Sequence, residues 1–389
     1  MNVPKLRFSG FTGDWEERKL NEASSYSNGG SYENDVRSSG KYQLVTLKSV
    51  DMAGNLVDSR KYIDKEVPTL SKGTLVMILS EQSPGLLGMT AQIPENNKYV
   101  LNQRVAEIKP NNNTDSYFLS MAINRCQQYF SKRGAGTKVQ NISKGNVENF
   151  EFYCPIIEEQ QKIGYFFKTL DKKIQLQQQK IDLLKEKKKS LMSRIFNPTQ
   201  VSEWRKIEIN EFMEFSTGKS QNEFIEQQGE FTVMDMGAIS NEGKIISNKF
   251  TNHSTALISQ GSLVMPKDDI GGGKIIGLTA YVPKNNKYVL GDHVYLVKVD
   301  EKICNPLFAH FQFHSVPFRK RLKRLVTGSA QLGITSKNIV KEYFYLPSLL
   351  EQAKIANFLL SLDKKIELEI QKNEFYKLQK QGFIQQMFI

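Results

Sequence analysis

Few residues of this sequence have the types and spacing for bond-making chemistry, whereas many suit the holding of a polyanion. His253 and His293 stand alone, and His310 and His314 lie four apart in an aromatic-rich stretch with no glutamate after His310. That pattern reads as a packed helix face rather than a metal pair, and no histidine has ligand spacing with a cysteine. Gly271-Gly-Gly273 lacks the Lys-Ser/Thr and the following helix of a phosphate loop. The cations are denser: Phe318-Arg-Lys-Arg-Leu-Lys-Arg324 carries five in seven residues, and Lys185-Glu-Lys-Lys-Lys189 four in five. The second run fits a solvated helix face equally well. With a net charge of +12 and a pI near 9.3, the chain suits a polyanionic partner.

The elements that must position these residues occur twice. Pro155-Ile-Ile-Glu-Glu-Gln-Gln-Lys-Ile-Gly-Tyr-Phe-Phe-Lys-Thr-Leu-Asp-Lys-Lys-Ile174 returns 192 positions later, from Pro347 to Ile366, with 11 of 20 residues identical. No Pro or Gly interrupts Asp171 to Phe196, and apolar residues recur there at steps of three and four, which predicts a helix. Its seam is Phe167, Leu170, Ile174, Ile181, Leu184, Leu191 and Ile195, broken by Gln177 and Lys188. The second copy has Leu359, Leu362, Ile366, Tyr376, Phe383 and Met387, broken by Glu369, Asn373 and Lys380. Such narrow stripes need a partner helix, and the two helices are expected to pair with each other.

The 389 residues allow two to three domains, and 39% hydrophobic with 24% charged residues suits a water-soluble fold with an ample core. The opening residues read as no signal peptide, no apolar run reaches membrane-spanning length, and Cys126, Cys154 and Cys304 follow no disulfide pattern. A cytoplasmic protein with reduced thiols and no membrane partner is expected.

Between the helices the repeat continues as strands. Leu70-Ser-Lys-Gly-Thr-Leu-Val-Met77 matches Ile258-Ser-Gln-Gly-Ser-Leu-Val-Met265, Gly88 to Leu101 matches Gly277 to Leu290, and Trp15 matches Trp204. Tyr117 to Phe130 and Leu307 to Leu325 read as helical, so each half is a mixed α+β domain. After Met77 and Met265 the polar loops diverge completely, as do Ser24–Lys48 and Phe215–Asp235. Kept strands with diverged loops suggest two readers built on one frame.

Trp15-Glu-Glu-Arg-Lys-Leu20, the duplicated Gly-x-Leu-Val strand, Gly136-Thr137-Lys138-Val139-Gln140 with Gly328-Ser329-Ala330-Gln331, and the duplicated Glu-Gln-x-Lys-Ile with Leu-Asp-Lys-Lys-Ile resemble the specificity (S) subunit of type I restriction-modification systems. Two details depart from that pattern, the second entry being Trp204-Arg-Lys-Ile and a cysteine preceding Pro155. The resemblance covers essentially the whole chain. It implies an α+β fold in which two similar α/β target-recognition domains, 1–154 and 199–346, are separated by two long helices, 155–198 and 347–389. The helices form an antiparallel coiled coil with an internal pseudo-two-fold.

What the resemblance implies for function is a non-catalytic subunit that reads a bipartite asymmetric site in double-stranded DNA, for phage defence. It would dock two modification subunits that methylate adenine, and restriction subunits that translocate and cleave. S-adenosylmethionine, ATP and Mg then belong to those partners, with no cofactor in this chain. The 26 residues from Asp171 to Phe196 span about 39 Å as a helix, near the roughly 34–36 Å of one DNA turn. Phosphate clamps and base readers are expected on the divergent loops. The first domain offers Asn28, Tyr32, Arg37, Lys41, Gln82, Ser83, Arg133, Thr137 and Lys138. The second offers Lys219, Gln221, Lys267, Asp268, Lys274, Arg324, Ser329 and Gln331. The coiled-coil and docking set is Leu170, Ile174, Ile181, Leu184, Leu191, Leu362, Ile366, Tyr376 and Phe383.

Two other readings compete. Asn305-Pro-Leu-Phe308 is similar to the Asn-Pro-Pro-Phe of adenine methyltransferases, but it departs at the third position and the other half has no counterpart before the same helix. A structural coiled-coil adaptor without DNA contact is the second. If the helices pair antiparallel, Phe388 plays the role of Phe196, and the C-terminal residues should lie beside Ser9 to Trp15.

Overall fold

The computed structural model describes residues 2–82, 85–197, 199, 203–254, 256–269, 272–329 and 331–389; Ser83, Pro198, Gly271 and Ala330 lie outside them. Two compact units form, one from Met1–Gln178 with Lys372–Ile389 and the other from Gln179–Gln371. Each unit therefore owns a stretch of both long helices.

The first unit begins with β1 (Glu16–Lys19), α1 (Leu20–Ala23), β2 (Ser24–Asn28), β3 (Tyr42–Val45), β4 (Tyr62–Ile63), β5 (Leu75–Ile78) and β6 (Ser80–Glu81). It continues with β7 (Thr90–Gln92), β8 (Tyr99–Leu101), β9 (Val105–Pro110), α2 (Ser116–Asn124), α3 (Gln127–Arg133), β10 (Gln140–Asn141), α4 (Lys144–Glu148) and β11 (Glu151–Cys154). The helix α5 (Ile157–Ile195) follows. Strands β2-β9-β5-β7 form an antiparallel sheet, β4-β3-β8 a mixed one with β3 parallel to β8, and β1-β11 and β6-β10 two short ribbons. Leu75-Val-Met-Ile78 is a continuous apolar run because β5 is buried on both faces. Leu75 and Met77 face the core shared with α2, whereas Val76 and Ile78 face a second core with Val45, Tyr99 and Leu101.

The second unit has β12 (Arg205–Glu208), β13 (Met213–Thr217), β14 (Phe231–Met234), β15 (Phe250–Thr251), β16 (Leu263–Pro266), β17 (Asp268–Asp269), β18 (Ala280–Tyr281), β19 (Tyr288–Leu290) and β20 (Val294–Val299). Then come α6 (Pro306–His314), α7 (Val316–Lys323), β21 (Leu332–Gly333), α8 (Ser336–Ile339), β22 (Tyr343–Leu346) and α9 (Leu349–Met387). Its sheets, β13-β20-β16-β18, β15-β14-β19, β12-β22 and β17-β21, repeat those of the first unit strand for strand.

Both long helices start earlier than their second halves suggested, directly after Pro155-Ile156 and Pro347-Ser348. Gly164 does not break α5. A Cβ there would stand 2.3 Å from Asp115 Oδ1 at the start of α2, so the glycine permits close helix approach. Gln160 fastens the same junction: its Oε1 accepts from Asp115 N–H (3.0 Å) and its Nε2 donates to Pro155 O (2.8 Å). Gln352 does likewise with Asn305 N–H (2.8 Å) and Pro347 O (2.9 Å). The Gln of the duplicated Glu-Gln-x-Lys-Ile is thus a structural staple.

Within each unit the α5 and α9 stretches run antiparallel. In the first, Phe166 meets Phe383 (5.1 Å between ring centroids), Asp171 pairs with Lys380 (2.6 Å), and Asn373 donates to Gln178 (3.0 Å). In the second, Lys180 pairs with Glu369 (2.6 Å) and Lys188 with Asp363 (2.5 Å). Of the polar breaks in the seams, Lys188, Glu369, Asn373 and Lys380 are therefore answered across the helix pair. The chain end also lies where antiparallel pairing requires: Phe388 packs on Trp15 (6.2 Å) and Phe118 (5.2 Å), and Leu6 N–H donates to Gln386 O (2.9 Å).

His310 is buried and His314 half-buried in the second unit, where His310 Nδ1 lies 3.0 Å from Thr279 Oγ1 and His314 Nε2 lies 2.8 Å from Thr279 O. In the first unit Ser120 and Asn124 make the matching contacts to Thr90. Burial depresses both histidines, His314 to about 4. Because these folded values lie below the unfolded value of roughly 6.5, the neutral pair's contribution is complete above that pH and is lost as pH falls through the folded values. His314 alone should cost the second unit on the order of 3 kcal/mol on acidification to pH 4. Urea melts at pH 7 and pH 4.5 should show this loss, and His314→Asn, which imports the first unit's residue, should reduce it.

Candidate nucleic-acid interface

In each unit one short ribbon draws two divergent loops together. In the first, β6 pairs with β10, Glu81 opposite Gln140 and Ser80 opposite Asn141, and Ser80 Oγ donates to Asn141 Oδ1. A Cβ on Gly134 would stand 2.7 Å from Leu87 Cδ2, which shows how closely the loop after Gln82 approaches the turn at 134–139. Glu81 is 6% exposed and clasps that loop, its Oε2 accepting from Leu86 N–H (2.7 Å) and Leu87 N–H (2.9 Å). Gly136 has φ +125°, and a Cβ there would stand 2.1 Å from Val139 O, so only glycine makes this turn. Gln82, Arg133, Thr137 and Lys138 are exposed on the resulting rim, the Arg133 guanidinium lying 3.8 Å over the Tyr129 ring.

In the second unit β17 pairs with β21, Asp268 opposite Gly333 and Asp269 opposite Leu332. Arg319 holds the loop before Gly277, donating to Ile276 O and to Lys274 O (3.0 Å). Lys274, Arg324, Ser329 and Gln331 are exposed, and Lys267 and Asp268 half-buried. The cation-rich run divides by role: Arg319 and Arg321 are tied to backbone carbonyls, whereas Lys320, Lys323 and Arg324 project into solvent.

The remaining candidates sit at the end of β2 and on the loops before β3 and β14. Asn28 is exposed and accepts from Tyr26 Oη–H (2.6 Å); Tyr32 packs beside the small core of Tyr42, Leu44, Ile63 and Val100. Arg37 pairs with Asp64 (2.8 Å) and Lys41 with Glu66, both at the exposed surface, where such pairs are worth little and open readily. Lys219 is exposed. Gln221 is corrected: it is 5% exposed, and its amide donates to Lys219 O (3.3 Å) and Leu290 O (3.5 Å), so it shapes its loop and presents no edge to a base. On the helices, Leu170, Ile181 and Ile366 are buried, and Ile174, Leu184, Leu191, Leu362, Tyr376 and Phe383 half-buried.

Three groups escaped the sequence reading. Glu81 and Asp269 occupy equivalent buried positions in β6 and β17, and aligning the repeat past Met77 and Met265 would have shown both acids. His293 Nδ1 lies 3.0 Å from both Asp268 oxygens, and the hydrogen bond to Asp268 raises its pKa against the opposing effect of burial. Asp235, Asp292 and His293 form the cluster of metal-binding side chains found among the described residues. There Lys249 already pairs with Asp235 Oδ2 (3.2 Å) and His293 N–H approaches Oδ1 (3.3 Å), which makes it an ion-pair network. Asn305 of the Asn-Pro-Leu-Phe segment caps α6, its Oδ1 accepting from Leu307 and Phe308 N–H (3.0 Å each), so it holds no substrate amine.

A model of the type I restriction modification DNA specificity domain matches residues 12–186 and again 201–375. The chain belongs to that family. Each match takes in one of its two target-recognition domains and a stretch of the long helix that follows it, and DNA recognition is the role of the family. The specificity subunit of the type I restriction enzyme MjaVIII from Methanocaldococcus jannaschii is 24% identical over 304 residues, 71% of this chain and 70% of that one. The S subunit of a type I restriction-modification system from M. genitalium superposes with TM-score 0.66 at 15% identity, over 100% of this chain and 99% of that one. A chain from a structure on complex assembly and conformational transition of the type I R-M system gives TM-score 0.58 at 13% identity, covering 95% and 96%. These two likenesses establish a shared fold. Among the described residues no helix is long and apolar enough to cross a membrane.

Two tests probe the rims of this specificity chain. Glu81→Ala strands the Leu86 and Leu87 amides at a cost of about 1–3 kcal/mol, so hydrogen exchange at those amides should accelerate while β5 stays protected. For His293, a folded pKa raised above the unfolded value means that its hold on Asp268 is complete below about pH 6.5 and is lost as pH rises through the folded value. Protection at residues 267–269 and 332–333, measured relative to the base-catalysed intrinsic exchange rate, should therefore fall between pH 6 and pH 8.5, and His293→Gln should abolish that change in protection.

Proposed function

We propose that this chain is the sequence-reading, non-catalytic subunit of a type I restriction-modification complex, each target-recognition domain reading one half of a bipartite asymmetric duplex site. The observation that carries the reading is the repeated ribbon. One scaffold presents Gln82, Thr137 and Lys138 in one unit, and Lys274, Ser329 and Gln331 at matching loops in the other. Amides, hydroxyls and cations on rigidly founded loops supply both base-edge contacts and phosphate neutralisation.

Exposed apolar residues on the helices support docking of two like modification subunits. The first unit exposes Leu176 and Phe375, 51% and 59%, and the second exposes Leu368 and Leu183, each 65%. Leu176 and Leu368 are repeat equivalents, as are Leu183 and Phe375, so each unit offers the same kind of apolar pair. Methyl transfer with S-adenosylmethionine, and ATP- and Mg-dependent translocation and cleavage, then reside in the modification and restriction subunits.

Replacing residues 201–346 by the matching segment of a relative should change one half of the methylated motif and leave the other half and the spacing intact. A change in both halves would reject independent readers. Duplex binding by the assembled complex should weaken about 10³–10⁵-fold between 50 and 200 mM salt if six to ten phosphates are contacted; a coiled-coil adaptor would show no duplex dependence.

A further inference from the structure

Two arginines of the first unit have left-handed backbone, Arg60 at φ +57° and Arg104 at φ +67°, a region that residues with a Cβ rarely enter. At Arg60 the local turn accounts for it, since Asp58 Oδ1 accepts from the Arg60 N–H (2.8 Å). Arg104 is held from outside. Its carbonyl accepts from Leu79 N–H (3.0 Å), the preceding Gln103 N–H donates to Gly30 O (2.6 Å), and the following Val105 is buried. The Arg104 guanidinium takes no part in this: it is exposed and has no hydrogen-bond or ion-pair partner among the described residues. Arg7, Arg18 and Arg37 of the same unit are all paired with acids. No contact of the Arg104 side chain offsets the backbone strain within the fold, so its role lies outside the fold.

Its position says what it would meet. Leu79, bonded to the Arg104 carbonyl, leads into β6 and on to Gln82, while Gly30, bonded to Gln103, belongs to the loop that carries Tyr32 and Arg37. Arg104 therefore stands where the two divergent loops come together. A cation at the outer edge of a reading surface meets phosphates; one between its loops faces the groove and the base edges. An arginine fork matches the adjacent acceptors O6 and N7 that guanine presents in the major groove. The second unit serves as an internal control. There the same place holds His293, which is not left-handed and whose Nδ1 faces Asp268. Ser80, in the place of Asp268, carries no carboxylate and is bonded to Asn141. The second unit thus engages internally the group that the first leaves free.

We propose that Arg104 is a specificity-determining residue that reads a guanine in the half-site of the first unit, an inference that rests on the DNA-reading role proposed above. The half that belongs to the first unit is the one left unchanged when residues 201–346 are exchanged. Mapping of methylated motifs in cells carrying the full system should find a guanine in that half. Arg104→Gly should let the same position accept other bases, with the second half and the spacing intact. Glycine adopts φ +67° without steric cost, so this variant should melt close to the wild-type temperature. A second measurement needs no variant: 7-deazaguanine at that position, which lacks the N7 acceptor, should weaken duplex binding by the wild-type complex about five- to tenfold. Binding by Arg104→Gly should be indifferent to the same replacement. A first half without guanine, an unchanged motif in Arg104→Gly, or a variant melting far below wild type would each overturn the assignment and leave the reading subunit standing. So would uniform weakening across sequences with a salt slope reduced by about 0.9, the mark of a phosphate contact. Absence of any bipartite motif from the wild type would remove the DNA-reading role and this inference with it.

Discussion

The register of α5 against α9 is the constraint on which both units depend, and a charge pair sets it. Asp171 with Lys380 and Asp363 with Lys188 are the same pair by the repeat, each partly withdrawn from water. An apolar seam tolerates sliding, because one leucine replaces another at similar energy. A lysine in that seam does not, since any other register would leave it facing apolar side chains without its aspartate. The pair therefore contributes to specificity of alignment more than to net stability. The Asp of Leu-Asp-Lys-Lys-Ile is kept in both copies of the repeat for a reason visible in the packing.

From that register the rest follows outward. Gln160 and Gln352 bind the helix starts to the caps of α2 and α6, which in turn lie against the central antiparallel sheets. Strands β5 and β16 are buried on both faces, so they cannot vary in polarity. The ribbons β6-β10 and β17-β21 sit beyond that core, and there the side chains are free to differ. Rigid foundations with variable rims place recognition where change costs least in stability.

The sequence made the helices, their seam and the doubled α+β plan legible, because period and repetition are properties of residue order alone. Lys188 and Lys380 appear in it only as interruptions; that they are paired requires the partner helix. The start of α5 was obscured by Gly164, whose helical role is decided by the nearness of Asp115. The candidate rim was legible as loop divergence, which marks a region without distinguishing residues. Gln221 shows the limit: a polar residue in a divergent loop is turned inward by backbone carbonyls that sequence does not display. Glu81 and His293 were missed for the opposite reason, since their significance lies in amides and carboxylates brought from elsewhere in the fold.

The side chains that support the two rims also differ in chemical character. Thr46, Ser80, Gln103 and Arg104 in the first unit stand where the second has Asp235, Asp268, Asp292 and His293. The first set holds mostly neutral or donating groups, the second mostly acceptors. Ionised carboxylates accept only, and Asp268 keeps lone pairs beyond those facing His293. Thr46, Ser80 and Asp235 are buried, and Asp235 is tied to Lys249, so these groups set the charge and shape behind each rim, while the exposed loop side chains in front of them would meet the bases. Duplication with such divergence explains how a chain built from one repeated frame would read an asymmetric site: the frame is symmetric and the donor and acceptor pattern laid on it is not.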